Sequence, residues 1–278
     1  MKIYRIFVVL LLNMALFSFV GFGQQKSTQV EIKTTMGTII VKMYNETPLH
    51  KANFIKLVKD KYYDGQLFHR VIKDFMIQTG DPDSKTAKKG QALGSGGPGY
   101  TIKAEFNQNL FHKKGALSAA RQSDQINPEK KSSGSQFYIV QGKKFTAKEL
   151  DDVEFQQNVN AYLPYIQQYL QKPENSAIMS DVQKKQQMAD QEGLNKIIKD
   201  IIVKLKPQHP EIKDFKFSQK QRTTYMTIGG TPHLDMNYTV FGEVLKGLDI
   251  IDKIASVKTD QGDRPIDDVK IISMRVLN

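Results

Sequence analysis

A mainly β fold, an antiparallel barrel or sandwich interrupted by a helical segment, is what this sequence predicts. Three observations carry that expectation. Short runs in which apolar and polar residues alternate recur from Val30 to Val276, the pattern of half-buried strands. Outside the middle of the chain only two stretches show helical spacing. Between Thr146 and Arg222 the composition shifts toward Gln, Lys, Asp and Asn, and the β pattern resumes afterwards. Many short strands with few helices among them suit two packed β layers or a sheet curled on itself.

Taken in order, Val30-Glu31-Ile32-Lys33-Thr34 alternates, and so do Ile39, Val41 and Met43 after the Met36-Gly37 turn; the pair reads as a hairpin. Thr47-Pro48 opens a helix, with a hydroxyl at the cap position and proline at the first helical position. Ala52, Phe54, Ile55, Leu57 and Val58 follow with a helical period until the Asp64-Gly65 turn. Two short strands come next, Phe68 to Ile72 and Phe75 to Gln78, and Gly94 to Gly99 forms a loop. Ser135 to Val140 and Thr239 to Val244 are strands, Gly247-Leu248 opens a helix carrying Ile250, Ile251 and Ile254, and Val269 to Val276 is the last strand. Within the inserted segment, residues 146–222, Phe155, Val159, Tyr162, Ile166 and Tyr169 form one apolar stripe and Leu194, Ile198, Ile201 and Leu205 a second. Pro164 inside the first stripe predicts a kink or a break into two helices.

The 278 residues are 40% hydrophobic and 25% charged, enough apolar material for a real core. The formal net charge is +11, but the basic residues are scattered and no nucleic-acid recognition motif accompanies them, so no nucleic-acid partner is expected. Weak contact with an anionic membrane surface is compatible with that charge. Residues 1–23 have the form of a secretory signal peptide, with cleavage expected and an uncleaved membrane anchor as the alternative: Lys2 and Arg5, an apolar run from Ile6 to Val20, then Gly21 and Gly23 before Gln24. Residues 24–29 are a short linker to a domain spanning 30–278, and the expected location is the periplasm or cell envelope. There is no cysteine, so neither disulfides nor a cysteine-linked lipid anchor is available.

The Gly94–Gly99 loop lacks the Gly-Lys-Ser/Thr ending of a phosphate-binding loop and reads as a flexible turn. His50, His69, His112, His209 and His233 have no metal-ligand spacing, and no serine sits in a nucleophile elbow, so neither a metal nor a covalent mechanism is expected. Arg70 is different. It lies among alternating aromatic and aliphatic residues, where an unpaired charge is costly.

Around it stand further motifs in a telling order: Phe68-His69-Arg70-Val71-Ile72, Phe75-Met76-Ile77-Gln78-Thr79-Gly80-Asp81, Gly96-Gly97-Pro98-Gly99-Tyr100, Leu117-Ser118-Ala119-Ala120, Gly134-Ser135-Gln136-Phe137-Tyr138-Ile139 and Tyr238-Thr239-Val240-Phe241-Gly242. In these motifs the chain resembles the bacterial cyclophilin-type peptidyl-prolyl cis-trans isomerases, from about Val30 to the end apart from the insertion. The resemblance implies a closed eight-stranded antiparallel barrel capped by two helices, and catalysis of rotation about the bond preceding proline, without a cofactor. It carries over Arg70 as the catalytic residue with Gln78 holding its guanidinium. His69, Phe75, Met76, Ala120, Gln136, Tyr138, His233, Leu234 and Tyr238 carry over as the groove for a proline-containing polypeptide. Phe137 alternates with Tyr138 and should point into the core.

The sequence departs from the family's usual residues at several positions. Tyr138 stands where phenylalanine is common, His233 where tryptophan is frequent, Tyr238 where histidine is common and Arg121 where asparagine is usual. The loop from Gln122 to Ser133 is longer and more basic. The function implied is an exported isomerase that assists folding. The alternative is a non-catalytic chaperone module that binds peptides through the groove and the helical insertion.

Overall fold

The computed structural model describes residues 27–277. The first hairpin is strands β1 (Gln29–Thr34) and β2 (Gly37–Met43), followed by helix α1 (Pro48–Lys59). Thr47 occupies the cap position, but its hydroxyl makes no capping bond. The Glu105 carboxylate does so instead, accepting from the backbone N–H of Leu49 and of His50, both at 3.0 Å. An anion at a helix N-terminus also complements the dipole, which explains why a residue 55 positions away displaces the local hydroxyl.

Strands β3 (Arg70–Ile72), β4 (Met76–Thr79), β5 (Thr101–Ile102), β6 (Ala116–Ala119), β7 (Ser132–Ser133) and β8 (Phe137–Val140) follow. The insertion then contributes α2 (Ala147–Gln171), α3 (Ser176–Gln187) and α4 (Gln191–Leu205), and α5 (Gln219–Thr227) straddles its end. β9 (Val240–Lys246), α6 (Leu248–Ala255) and β10 (Ile271–Leu277) complete the chain. Eight strands form one antiparallel sheet in the order β10-β1-β2-β9-β6-β8-β4-β3, with β5 and β7 as a separate pair.

The sheet curls but does not close, so the fold is a half-barrel rather than the closed barrel expected. Between its end strands the ladder is reduced to a bridge from Leu67 to Lys270 and single bonds, such as Phe68 N–H to Val269 C=O at 2.9 Å and Val71 N–H to Asp263 C=O at 2.8 Å. β3 is only three residues long, and the backbone it meets there belongs to the turn before β10 rather than to β10 itself.

The main core lies inside the curl. Val71, Ile77, Leu117, Phe137 and Ile139 from the strands meet Phe54, Leu57 and Val58 of α1 and Ile250, Ile251 and Ile254 of α6. The insertion has its own core of Tyr162, Ile166, Ile201, Ile202 and Leu205. α2 is not broken at Pro164, which is exposed. The carbonyl freed one turn earlier can therefore be met by water. A second apolar joint of Phe111, Leu150, Phe217 and Tyr225 packs the insertion against the half-barrel.

The insertion leaves and re-enters the half-barrel at adjacent points, with Gly230 N–H donating to Lys143 C=O at 3.0 Å. The chains are so close there that a Cβ on Gly142 (φ +66°) would lie 2.4 Å from the Gly230 Cα. Gly142→Ala is therefore expected to destabilise the protein by about 2 kcal/mol or more, from strain at positive φ plus the clash. Urea unfolding with a midpoint matching the parent chain would count against this account of the junction.

Candidate active site

The site is built by register. Arg70 pairs with Gln78 across β3 and β4, Gln78 with Tyr138 across β4 and β8, and Tyr138 with Ser118 across β8 and β6. Because successive residues alternate faces, these four share the outer face, while Val71, Ile77, Ile139 and Leu117 form the matching row on the inner one. Phe137 points inward, 1% exposed, as its alternation with Tyr138 requires.

On the outer face an apolar patch of Met76, Ala120, Tyr138, Leu234 and Val240, flanked by Phe75 and Tyr238, floors a cavity of about 650 Å³. His69, Arg70, Phe75, Met76, Gln78, Ala120, Tyr138, Leu234 and Tyr238 all line it. Gln136 lines an adjoining depression of about 710 Å³, which shares Gln78 and Ala120 with the first. His233 lies outside the cavity, exposed, with its ring stacked on Phe75 at 5.6 Å.

Arg70 is not the buried charge that its apolar strand suggested. Its side chain is 44% exposed at the edge of the cavity, and its Nε lies 3.4 Å from Asp263 Oδ2. Gln78 does not hold the guanidinium. Its amide nitrogen donates to Gln136 Oε1 at 3.0 Å, and Gln136 Nε2 donates in turn to the carbonyls of Gly94 and Gly96 at 2.9 and 2.8 Å. The Gly94–Gly99 loop is accordingly tied down rather than a free turn. Buried Asp81 accepts from the Gly94 and Gly96 N–H groups, and a Cβ on Gly96 would stand 2.1 Å from Asp81 Oδ1. Arg121 stacks over the Tyr238 ring at 4.5 Å and pairs with Asp124, which fastens the start of the long loop to the cavity wall.

A guanidinium stands at the rim of an apolar pocket with a row of amide and phenol groups beside it, and Arg121 and Arg264 also line the cavity. The family described as Cyclophilin type peptidyl-prolyl cis-trans isomerase/CLD matches residues 29–191 and 218–276. The chain belongs to that family. A Staphylococcus aureus protein named as a peptidyl-prolyl cis-trans isomerase is 31% identical over 254 residues, covering 91% of this chain and 93% of that protein. A Streptococcus pyogenes protein named as a bifunctional phosphatase and peptidyl-prolyl cis-trans isomerase is 29% identical over 253 residues; the chain spans 39% of its length. The crystal structure of a Cryptosporidium parvum cyclophilin-type isomerase superposes with a TM-score of 0.51 at 18% identity, over 91% of this chain and 98% of that one. The same protein was solved in the presence of the dipeptide Ala-Pro.

Several groups around the cyclophilin groove escaped sequence reasoning. Asp263, with φ of +63° in a polar turn, carries the carboxylate facing Arg70. Arg264, 6% exposed, donates to the carbonyls of Lys88 and Gln91 and so pins the rim segment that runs to Gly94. The one signal for either is the stretch Asp260-Gln261-Gly262-Asp263-Arg264, whose two aspartates and glycine mark a turn without saying what it touches.

His69 is 4% exposed, and neither ring nitrogen has a hydrogen-bond partner among the described residues. Burial pushes its pKa down to about 4, with the Asp81 carboxylate opposing and the Arg70 and Arg264 guanidiniums assisting. An unfolded histidine binds its proton near pH 6.5, so the unfolded state holds more protons between the two values. Cyclophilin stability from this group is complete above about pH 6.5 and is lost as pH falls toward 4, by roughly 3 kcal/mol. Unfolding free energies at pH 7, 5.5 and 4.5 should therefore fall more steeply for the parent than for His69→Leu. Parallel curves would contradict it.

Proposed function

We propose that this cyclophilin accelerates rotation about Xaa-Pro bonds in exported polypeptides, with Arg70 donating to the prolyl nitrogen as the amide twists. Amide resonance makes the planar forms slow to interconvert, on the order of tens to hundreds of seconds. Twisting removes that resonance and leaves a lone pair on the proline nitrogen, which becomes a hydrogen-bond acceptor. A guanidinium is a permanently charged donor and interacts with that lone pair more strongly in the twisted state than in the planar one, the condition for lowering a barrier. Shortening a ten-second event to a millisecond requires roughly 5.5 kcal/mol. A charge-assisted hydrogen bond beside an apolar floor, together with positioning of the chain, is of that order.

The observation that carries this reading is the placement of Arg70 in one cross-strand row with Gln78 and Tyr138, at the edge of a cavity floored by Phe75, Met76 and Leu234. The floor suits a proline ring, and the Gln136 side chain in the adjoining depression suits the peptide to either side of it. Tetrapeptides of the form Ala-Xaa-Pro-Phe, followed by proline isomerisation with and without the protein, test the assignment; rates at the uncatalysed level for every Xaa would remove it. Export rests on residues 1–23, which lie outside the described residues. The mass of the protein recovered outside the cytoplasm should correspond to a chain starting at Gln24, and an intact Met1 there would argue against cleavage.

A further inference from the structure

Beneath the groove runs a buried chain of polar groups that the isomerase reading does not use. Tyr225 Oη donates to Asp235 Oδ2 at 2.6 Å. Asp235 Oδ1 accepts from the His112 backbone N–H at 2.9 Å and from His112 Nδ1 at 2.8 Å. His112 Nε2 then meets the Tyr138 hydroxyl at 3.0 Å. All four residues are buried, with Tyr225 and His112 at 0%, Asp235 at 3% and Tyr138 at 4% exposure. With the proton held on Nδ1 by the carboxylate, a neutral imidazole leaves Nε2 as the acceptor, so the Tyr138 hydroxyl donates to it.

The two ends of this chain lie in different parts of the molecule. Tyr138 lines the groove, whereas Tyr225 sits on α5, three residues past the end of the insertion at Arg222, and packs there against the insertion's Leu150 and Phe217. A second contact runs the same way: Gln157 of α2 donates its side-chain amide to the His233 carbonyl at 2.9 Å, on the turn Pro232–Leu234 that carries groove residue Leu234. The insertion thus reaches the groove from behind at two places, once through α5 at its C-terminal end and the hydroxyl of a floor residue, and once directly through the turn that carries Leu234.

We propose that the helical insertion sets the shape of the proline pocket, with Tyr225, Asp235 and His112 acting as positioning residues that fix the Tyr138 ring and Gln157 bracing the Leu234 turn. This rests on the isomerase reading for the identity of the groove's ligand. A buried carboxylate that loses one donor re-pairs with what remains, so removing the Tyr225 hydroxyl shifts Asp235 and His112 and releases Tyr138. The insertion is then a part of the substrate site, not a decoration on a loop.

A double-mutant cycle on the full chain tests this, with calorimetric Kd for an Ala-Pro peptide and kcat and KM for isomerisation as readouts. Tyr225→Phe keeps the ring in its aromatic joint and is expected to raise Kd and KM about three- to tenfold with a smaller change in kcat. The same substitution made on top of Tyr138→Phe should have no further effect, because the hydroxyl through which it acts is gone. Equal effects of Tyr225→Phe in both backgrounds, or none in either, overturn the proposal. Gln157→Ala, at a half-buried position on the surface of α2, is expected to raise KM about two- to threefold with little change in the melting temperature. An unchanged KM for it, alongside an unchanged one for Tyr225→Phe, also overturns the proposal. Peptide binding without turnover in the parent would sink the isomerase reading and leave Kd to decide the positioning role; absence of both would sink the two together.

Discussion

Arg70→Ala is expected to lower kcat/KM for a prolyl peptide by about 10²- to 10³-fold, the usual cost of deleting one donor aimed at developing electron density. The loss should fall on kcat more than on KM, because the bond is made to the twisted nitrogen and not to the planar substrate. Folding should be unaffected, since the side chain is 44% exposed and its ion pair with Asp263 is a surface contact of small worth. Arg70→Lys should recover little: an ammonium keeps the charge but not the planar fork that reaches past Asp263 toward the groove. A protease-coupled or NMR exchange assay measures both variants. Parent-like kcat for Arg70→Ala would move the chemistry away from this residue and favour the peptide-binding chaperone alternative.

Phe137→Ala is expected to have the largest effect on stability, about 3–5 kcal/mol. The ring is 1% exposed and meets Phe54 and Tyr63 edge-on at centroid distances of 5.1 and 5.3 Å, at the point where β8 faces α1. The cavity left behind is walled by strand and helix backbones that cannot collapse into it, so both the transfer term and the void are felt. The melting temperature should fall by on the order of 10 °C. A fall of only a degree or two, or parent-like urea unfolding, would mean that the interior of the half-barrel repacks far more freely than its geometry allows. The adjacent residue makes an instructive contrast: Tyr138 is one position along and on the opposite face, so its substitution should be read in substrate affinity rather than in this core.

Much of the site is legible in the sequence because its residues obey local rules. Arg70, Gln78 and Tyr138 alternate with inward-facing Val71, Ile77 and Ile139, and a period of two puts each set on its own face whatever the rest of the chain does. The hairpin at the start, the proline-led helix at Pro48 and the apolar stripes of the insertion are local in the same sense. What escaped was the partner of each polar group. Gln78 was expected to hold Arg70, its direct cross-strand neighbour, yet it bonds to Gln136, 58 positions away. Asp263 faces Arg70 across nearly two hundred residues, and Glu105 caps α1 in place of Thr47. His112, which has no metal-ligand spacing in the sequence, is a buried link between Asp235 and Tyr138.

The amino-acid sequence alone therefore settles which residues of its alternating strands share a face, where the strongly periodic strands and helices lie, and that a guanidinium sits in a proline-isomerase motif. The short strands β5 and β7, the helices α3 and α5 and the unbroken course of α2 at Pro164 are not among them. Alternation, capping chemistry and motif order act over a few residues and are written into the chain. Whether the sheet closes, which carboxylate meets which donor, and how a helical insertion reaches the floor of a groove belong to the folded molecule. Side-chain hydrogen bonds act over about 3 Å, and only the packing of distant segments decides which groups come within that reach.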